Sequence, residues 1–171
     1  MSLRTNQGME SGAEAFAVLT GTFLSGLLMS LYTITMPVLV ETSVSAPLLL
    51  QQWQRIFDRG HIQGPVLAIL TGFTYGYAAW LRASAGESWL PFVLAAVLTF
   101  GIVPFTWIFM ERINTALFSA VARSGTEKGS VDKLDAERMI IRWSGFHALR
   151  SLFPLAGAVM GFLAMLQVIQ F

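Results

Sequence analysis

The stretch AFAVLTGTFLSGLLMSLYTITMPVLV, residues 15–40, decides the fold because its 26 residues include no charged side chain. A membrane-spanning helix needs about 20 such residues to cross a hydrocarbon core about 30 Å thick. The apolar region of a secretion signal is shorter, about 7 to 15 residues, and follows basic residues, whereas Glu10 and Glu14 precede this stretch. We therefore expect a retained membrane helix.

Three further stretches, residues 62–81, 88–110 and 151–171, are also long and apolar enough to cross a membrane. The 171-residue chain is 54% hydrophobic and only 12% charged, with a mean hydropathy of +0.61. Soluble domains carry about 25% charged residues. The sequence therefore predicts an all-α integral membrane protein, a four-transmembrane-helix bundle forming one domain over residues 1–171. The expected helices are 15–40, 62–82, 88–112 and 143–170, and the expected cytosolic loops are 41–61 and 113–142.

Basic residues favour one side of this predicted bundle. Nine lie in or beside the two larger loops: Arg55, Arg59, Arg112, Arg123, Lys128, Lys133, Arg138, Arg142 and Arg150. Only Arg4 and Arg82 lie on the opposite side. By the positive-inside rule both loops are cytosolic and both termini are non-cytosolic, a chance bias being the alternative.

Several kinds of chemistry are excluded by composition. The chain has no cysteine, which removes thiol nucleophiles, disulfides and thiolate metal sites. A transition-metal or bis-histidine haem site held by protein groups alone would need both His61 and His147, which are 86 positions apart. The net charge of +1, with basic residues dispersed among acids, gives no nucleic-acid footprint. We therefore expect no metal site and no nucleic-acid partner.

Small residues recur at four-residue spacing in the apolar stretches, as in Gly21 with Ser25, Gly72 with Gly76, and Gly157 with Gly161. Such faces let helix backbones approach closely in lipid. They predict helix packing within the chain, and a homo-oligomer seam is the alternative.

The first cytosolic loop has a helical rhythm of its own. Apolar residues at positions 49, 50, 53, 56 and 57 follow the i, i+3, i+4, i+7 spacing of an amphipathic helix after Pro47. The pattern predicts a short helix in the membrane interface. This helix either anchors the chain through Trp53 and neighbouring leucines or covers an entrance to the bundle.

The candidate functional residues begin with a stripe on the last helix. Trp143, His147 and Arg150 are spaced by four and three residues, which places them on one helix face. Ionisable residues in a membrane helix face protein or a wet cavity because exposure to lipid is costly. The alternative is that Arg150 reaches lipid headgroups and His147 is a structural histidine.

Helix three offers a second polar face. The spacing places Trp107, Met110, Glu111 and Asn114 on one side of a helix. Asn114 can donate to and accept from a bound oxygen function, or it can bridge two helices. Glu111 is expected to pair with Arg150.

At these residues the sequence resembles the anthrone oxygenase-like family, small four-helix membrane proteins of fungal polyketide pathways. The resemblance spans nearly the whole chain and rests on three regions. These are the glycine-spaced first helix from Gly21 to Pro37, the run from Pro104 through Thr106 to Asn114 and Leu117, and the run from Trp143 through His147 and Arg150 to Gly157.

The resemblance implies oxidation of an anthrone, a small tricyclic aromatic polyketide, to an anthraquinone. Molecular oxygen would be the co-substrate, without flavin, haem or metal. Such a reaction needs a base, a partner for a substrate oxyanion and an apolar slot. Burial beside Arg150 would favour the neutral histidine that a base requires. The implied roles are a base, His147; oxygen partners, Arg150 and Asn114; and substrate-binding residues, Trp143, Trp107, Tyr32, Thr106 and Glu111.

Two other classes of function fit the same residues. A small non-enzymatic membrane protein could use the polar cluster to bind a partner or a lipid, or to support assembly. Transport is a weaker alternative because the sequence shows no inverted repeat. The family resemblance suggests the endoplasmic reticulum or another endomembrane as the location.

Overall fold

The computed structural model describes residues 2–125 and 131–170, with side chains from residue 11 onward. All regular structure in these residues is helical, as predicted. Residues 126–130 of the expected second loop, which include Lys128, lie outside the described residues, and so does the side chain of Arg4. The elements in chain order are α1 (Ser2–Ser30), a first π segment (Leu31–Thr35), α2 (Met36–Thr42), α3 (Ala46–Ser84), α4 (Leu90–Phe100), α5 (Ile102–Phe105), a second π segment (Thr106–Met110), α6 (Glu111–Ser124) and α7 (Lys133–Met165).

The helices extend well into the regions expected to be loops. The chain between positions 41 and 61 is mostly the first half of α3, which continues through Pro65 as one helix of 39 residues. It is therefore not the separate short helix that the sequence predicted. Similarly, α6 reaches Ser124, and α7 begins at Lys133, within the expected second loop. Hydropathy marks only the apolar part of a helix, whereas backbone hydrogen bonding continues into the polar turns.

Among the described residues, three helical stretches are long and apolar enough to cross a membrane: Ser11–Thr42, Leu90–Ser124 and Lys133–Met165. The predicted fourth crossing, residues 62–82, is the second half of α3. Its mean hydropathy is lowered by glycine and amphipathic aromatic residues, namely Gly72, Tyr75, Gly76, Tyr77 and Trp80. Helices of membrane length are thus present.

Both π segments lie close to a proline. Pro37 follows the first π segment, in which the Met36 N–H donates to the Leu31 carbonyl oxygen five residues back. Pro104 lies two residues before the second π segment. Proline lacks the N–H that an α-helix needs, so neighbouring turns change their hydrogen-bond spacing. Each π segment alters which side chains after it face inward.

The described chain divides into two compact units. Unit 1 comprises the residues up to Gly26, Pro65–Ile102 and the residues from Ser151 onward. Unit 2 comprises Leu27–Gly64 and Val103–Arg150, apart from residues 126–130. The long helices α1, α3 and α7 contribute residues to both units.

Unit 1 is held together by small residues that allow close contact. A Cβ atom at Gly157 would lie 2.8 Å from the Ala95 carbonyl oxygen, and one at Gly161 would lie 2.6 Å from the Tyr75 ring. These glycines confirm the prediction of packing within the chain, since a larger residue would force the helices apart. A Cβ atom added at Gly26 or Gly76 would have no atom of another described element within 4 Å.

Unit 1 also contains a buried ion pair. Arg82 Nε and Nη2 donate to the two carboxylate oxygens of Glu14, at 2.5 and 3.1 Å. Arg82 Nη1 donates to Glu87 at 2.5 Å. Glu14 is only 1% exposed and Arg82 only 9%. Arg82, for which the sequence predicted only a side of the membrane, therefore neutralises a carboxylate inside unit 1.

Unit 2 has an aromatic and aliphatic core that uses both the predicted loop regions and the apolar helices. In α3, Leu49, Leu50 and Trp53 are fully buried. They pack with residues from α2, α6, α7 and the second π segment, including Met36, Met110, Leu117, Ala120, Ile140 and Trp143. The first half of α3 is therefore part of the core, and its predicted apolar face is the buried one.

Candidate functional site

The candidate site lies in unit 2 and is built on the predicted stripe of α7. Trp143 is 2% exposed and His147 is 4% exposed, while Arg150 is half-buried. Their spacing of four and three residues places them on the inner face of the helix, as predicted. The Trp143 and His147 rings are in contact, with centroids 4.0 Å apart.

Arg150 is fixed by contacts within the protein. Its Nη1 atom donates to Thr106 Oγ1 at 3.1 Å and lies 3.8 Å from the Met110 sulfur. The Nε atom is buried and has no hydrogen-bond partner in the described part of the chain. Thr106, expected to contact the substrate, therefore orients Arg150. The guanidinium therefore keeps one donor, the Nε N–H, that is buried and unpaired in the described part of the chain.

The predicted ion pair between Arg150 and Glu111 is wrong. Glu111 is exposed, and no ion pair joins it to Arg150 among the described residues. The second π segment ends immediately before Glu111. Its changed spacing buries Met110, which is 1% exposed, and leaves the following carboxylate outside the site.

Asn114 holds Trp143 in place. Its Oδ1 atom accepts a hydrogen bond of 2.9 Å from Trp143 Nε1, which joins α6 to α7. Of the two roles considered for Asn114, the structure shows the helix-bridging one. The Trp143 ring also contacts His147, so this hydrogen bond fixes the position of the indole ring that packs against the imidazole.

Two residues expected to pack against the substrate rings are not brought into this cluster. Trp107 is 74% exposed and Tyr32 is 45% exposed. Trp107 lies in the second π segment and Tyr32 in the first, so α-helical spacing does not describe either position. The prediction that Trp107 shares a face with Met110 and Asn114 is therefore wrong.

The sequence did not assign Trp53 to the site, yet it is fully buried there. Its ring lies 5.8 Å from the Trp143 ring, edge-on at 85°. The helical rhythm of residues 49–57 gave the signal for a buried face. The residues that Trp53 packs against lie in α6 and α7, far away in the sequence, so no local pattern predicts them.

Buried polar atoms without a partner among the described residues occur in both units, and those of unit 1 are Thr71 Oγ1 and Tyr75 Oη. In unit 2, buried side-chain atoms without a hydrogen-bond partner in the described chain are Trp53 Nε1, His147 Nδ1 and Arg150 Nε. Native proteins pair most buried polar atoms, and each exception calls for an explanation. A bound molecule with oxygen atoms would supply the partners.

His61 has a different environment. It is exposed, its ring stacks on Phe57 with centroids 5.6 Å apart, and Nδ1 lies 3.1 Å from the Phe57 carbonyl oxygen. Within the described residues, no group of three or more histidine, aspartate or glutamate side chains is arranged to hold a metal ion. The chemically useful groups of the site are therefore an imidazole, a guanidinium and indole rings.

Comparison with known proteins supports an oxygenase assignment. The model of the anthrone oxygenase family matches residues 53–160, which include Trp53 and the α7 stripe. A Dothistroma septosporum protein named monooxygenase hypC is 47% identical over 96% of this chain and 88% of its own length. A noranthrone monooxygenase of Aspergillus flavus is 45% identical over 98% of this chain and 79% of its own length.

A third relative, the anthrone oxygenase tpcL of Aspergillus fumigatus, is 43% identical over 86% of this chain and 89% of its own length. No solved structure matches the chain significantly. With a family model covering more than half of the chain and such relatives over nearly all of it, the chain belongs to the anthrone oxygenase family.

Proposed function

We propose that this chain oxidises an anthrone with O2 to an anthraquinone and water, inside a membrane and without a metal or organic cofactor. The observation that carries the proposal is the pair of unpartnered buried atoms on one face of α7, His147 Nδ1 and Arg150 Nε. An unpaired buried polar group costs about 1 to 3 kcal/mol. Two such groups on one face are expected where a ligand completes their hydrogen bonds.

An anthrone can itself donate the electrons that reduce O2. The protein therefore needs to supply only a base and a partner for the oxyanion, and His147 and Arg150 can fill these roles. Loss of a proton from the methylene carbon opposite the carbonyl gives an aromatic oxyanion, whose electrons can pass to O2. A carbon–oxygen bond then forms, and protonation gives a hydroperoxide. Loss of water leaves the second carbonyl, so one oxygen atom enters the quinone and the other enters water. The methylene carbon loses four electrons and O2 gains four.

Each side chain has a role in this scheme. His147 takes the methylene proton and returns a proton to the departing peroxide oxygen, as general base and then general acid. Arg150 stabilises the oxyanion, with Thr106 fixing the guanidinium. Asn114 acts through Trp143, whose indole ring sets the position of the imidazole.

The cofactor-free part of the proposal is supported by the available donor atoms. The sequence has no cysteine, and the described residues offer no metal-binding group of three carboxylate or imidazole side chains. The substrate anion supplies the electrons that a flavin or metal would otherwise carry. The fixing of Arg150 by Thr106 also favours an enzyme over a lipid-binding protein whose arginine reaches headgroups.

We further propose that the chain crosses an endomembrane four times as a helical bundle, with both termini on the non-cytosolic side. Three crossings are the stretches long and apolar enough to span a membrane. The fourth is the second half of α3, whose Tyr75, Ala78 and Ala79 pack inside unit 1. The site would then lie near the cytosolic boundary of the lipid, where an apolar aromatic substrate is concentrated.

The function is tested with purified full-length protein in lipid nanodiscs, supplied with 1,8-dihydroxyanthrone and O2. We expect one O2 consumed per anthraquinone formed, above the rate of spontaneous oxidation, and no loss of activity after dialysis against a chelator. Replacement His147→Gln should lower the rate by about 10² to 10⁴. The matched control is His61→Gln, because His61 is exposed and should leave the rate unchanged.

Two results would contradict different parts of the proposal. If dialysis abolishes turnover and iron or copper restores it, the cofactor-free scheme fails while the oxidation remains. If no anthraquinone forms above the spontaneous rate, the oxidation itself fails. Metal analysis of the same sample separates these outcomes.

A further inference from the structure

Trp53 lies at the centre of the aromatic core of unit 2. Its ring contacts Phe57 at 5.5 Å, Phe118 at 5.2 Å and Trp143 at 5.8 Å, measured between centroids. It is fully buried, although it belongs to the part of α3 expected to lie at the membrane interface. These ring contacts explain why the apolar part of the Trp53 side chain is buried.

Packing does not account for its N–H group. Trp53 Nε1 is buried and has no hydrogen-bond partner in the described residues, whereas Trp143 Nε1 donates to Asn114. Buried tryptophan N–H groups usually find a partner, and an unpaired one is destabilising. A phenylalanine would make similar ring contacts without this cost. The indole N–H at position 53 is therefore expected to donate to an acceptor that is not part of the described chain.

The contacts of Trp143 connect this donor to the candidate site. One indole ring touches both Trp53 and His147, and the Arg150 donor lies one helical turn beyond His147. A ligand of three fused rings is longer than an indole. Such a ligand would have to extend past the Trp143 ring, with its reacting ring at His147 and Arg150 and another part of its edge at Trp53.

We propose that the Trp53 N–H donates a hydrogen bond to a phenolic oxygen of the substrate, so that Trp53 selects hydroxylated anthrones over unsubstituted anthrone. A neutral indole N–H suits a neutral phenol, while the charged Arg150 suits the oxygen on which negative charge develops. This inference rests on the proposed anthrone oxidation. It adds a substrate-binding residue from α3 to a site otherwise built on α6, α7 and the second π segment.

The test compares Trp53→Phe with the unaltered protein on two substrates, 1,8-dihydroxyanthrone and unsubstituted anthrone. Loss of one neutral hydrogen bond should lower kcat/KM for the hydroxylated substrate by about tenfold, mainly through KM. The unsubstituted substrate should change by less than about twofold, since it has no phenol to bind. Trp80→Phe is the matched control, because Trp80 is 61% exposed and lies in unit 1.

The ratio of the two kcat/KM values separates binding from packing. An equal loss for both substrates would overturn the proposal, since it would show that Trp53 only shapes the core. An unchanged ratio with normal activity would overturn it too, and would indicate that water satisfies the indole N–H.

A measurement on unaltered tryptophan covers the case in which Trp53→Phe does not fold. The chain has five tryptophans, so ¹⁵N labelling of the indoles gives five N–H signals. The Trp53 signal is identified once substitutions have assigned the exposed tryptophans and Asn114→Ala has shifted that of Trp143. We expect 1,8-dihydroxyanthraquinone to move the Trp53 proton downfield and unsubstituted anthraquinone not to do so. Equal shifts would overturn the proposal, and this binding result stands even if anthrone oxidation is not observed.

Discussion

Arg150 is the residue at which a structural role and a catalytic role differ most clearly. Thr106 and Met110 hold one end of its guanidinium, and its Nε donor is left unpaired and buried. If that donor stabilises the oxyanion, Arg150→Met should lower kcat by about 10² to 10³. Arg150→Lys should be intermediate, because it keeps the charge and loses the planar fork. The measurement is anthrone turnover by monodisperse variants.

The matched control for this prediction is Arg142, an exposed arginine on the same helix. Arg142→Met should keep normal turnover. Near-normal activity in Arg150→Met would remove Arg150 from the mechanism and leave His147 as the principal candidate.

The positions of single residues were predictable from the sequence where the geometry is local. The spacing of Trp143 and His147 requires only a regular α-helix, and α7 is one. The predictions for Trp107 and Glu111 were wrong because a π segment changes the spacing between Thr106 and Met110. The proline that accompanies this change is visible in the sequence, but the position of an inserted residue depends on packing around it.

At the scale of elements, α1 is joined to the end of α3 by the buried pair of Glu14 and Arg82. Replacement Arg82→Met leaves the Glu14 carboxylate buried without its bidentate partner. Removal of one member of a buried ion pair costs about 3 to 5 kcal/mol. We expect this loss in the free energy of unfolding, measured by denaturant titration in mixed micelles, and expect Glu14→Gln with Arg82→Met to recover most of it.

Glu87→Gln provides the control for the same interaction. The Glu87 side chain is 44% exposed, so its pair with Arg82 should contribute about 0 to 1 kcal/mol. If Arg82→Met proves as mild as Glu87→Gln, Glu14 does not depend on Arg82 in the folded protein. If the double variant is no more stable than Arg82→Met, the loss comes from packing and not from an unpaired charge.

Hydropathy predicted the apolar segments of the elements but not their ends. The first half of α3 contains Gln51, Arg55 and Asp58 on one side, which lowers its average hydropathy without breaking the helix. Its other side carries Leu49 and Trp53, which are fully buried. An amphipathic helix that packs on protein and one that lies on a membrane surface have the same sequence pattern. Only the contacts with α6 and α7 distinguish them.

For the whole molecule, composition alone was enough to predict helices of membrane length. The ion pair of Glu14 and the packing partners of Trp53 were not predictable, because each depends on residues far apart in the sequence. Arg82 lies 68 positions after Glu14, and Trp143 lies far beyond Trp53. The glycine spacing did identify Gly157 and Gly161 as close-packing positions, since small residues let helix backbones approach closely.

The proposed membrane topology makes a prediction about the two ends of the second half of α3. Asp58 and Ala85 are both exposed and flank this segment. Because the chain has no cysteine, Asp58→Cys and Ala85→Cys each introduce a unique thiol. In sealed microsomes with the cytosolic face outward, a membrane-impermeant maleimide should label Asp58→Cys at once and Ala85→Cys only after permeabilisation. The reverse pattern would invert the positive-inside assignment. Equal labelling of both variants in intact vesicles would show that this half of α3 does not cross the membrane, leaving the three most apolar helical stretches as the crossings.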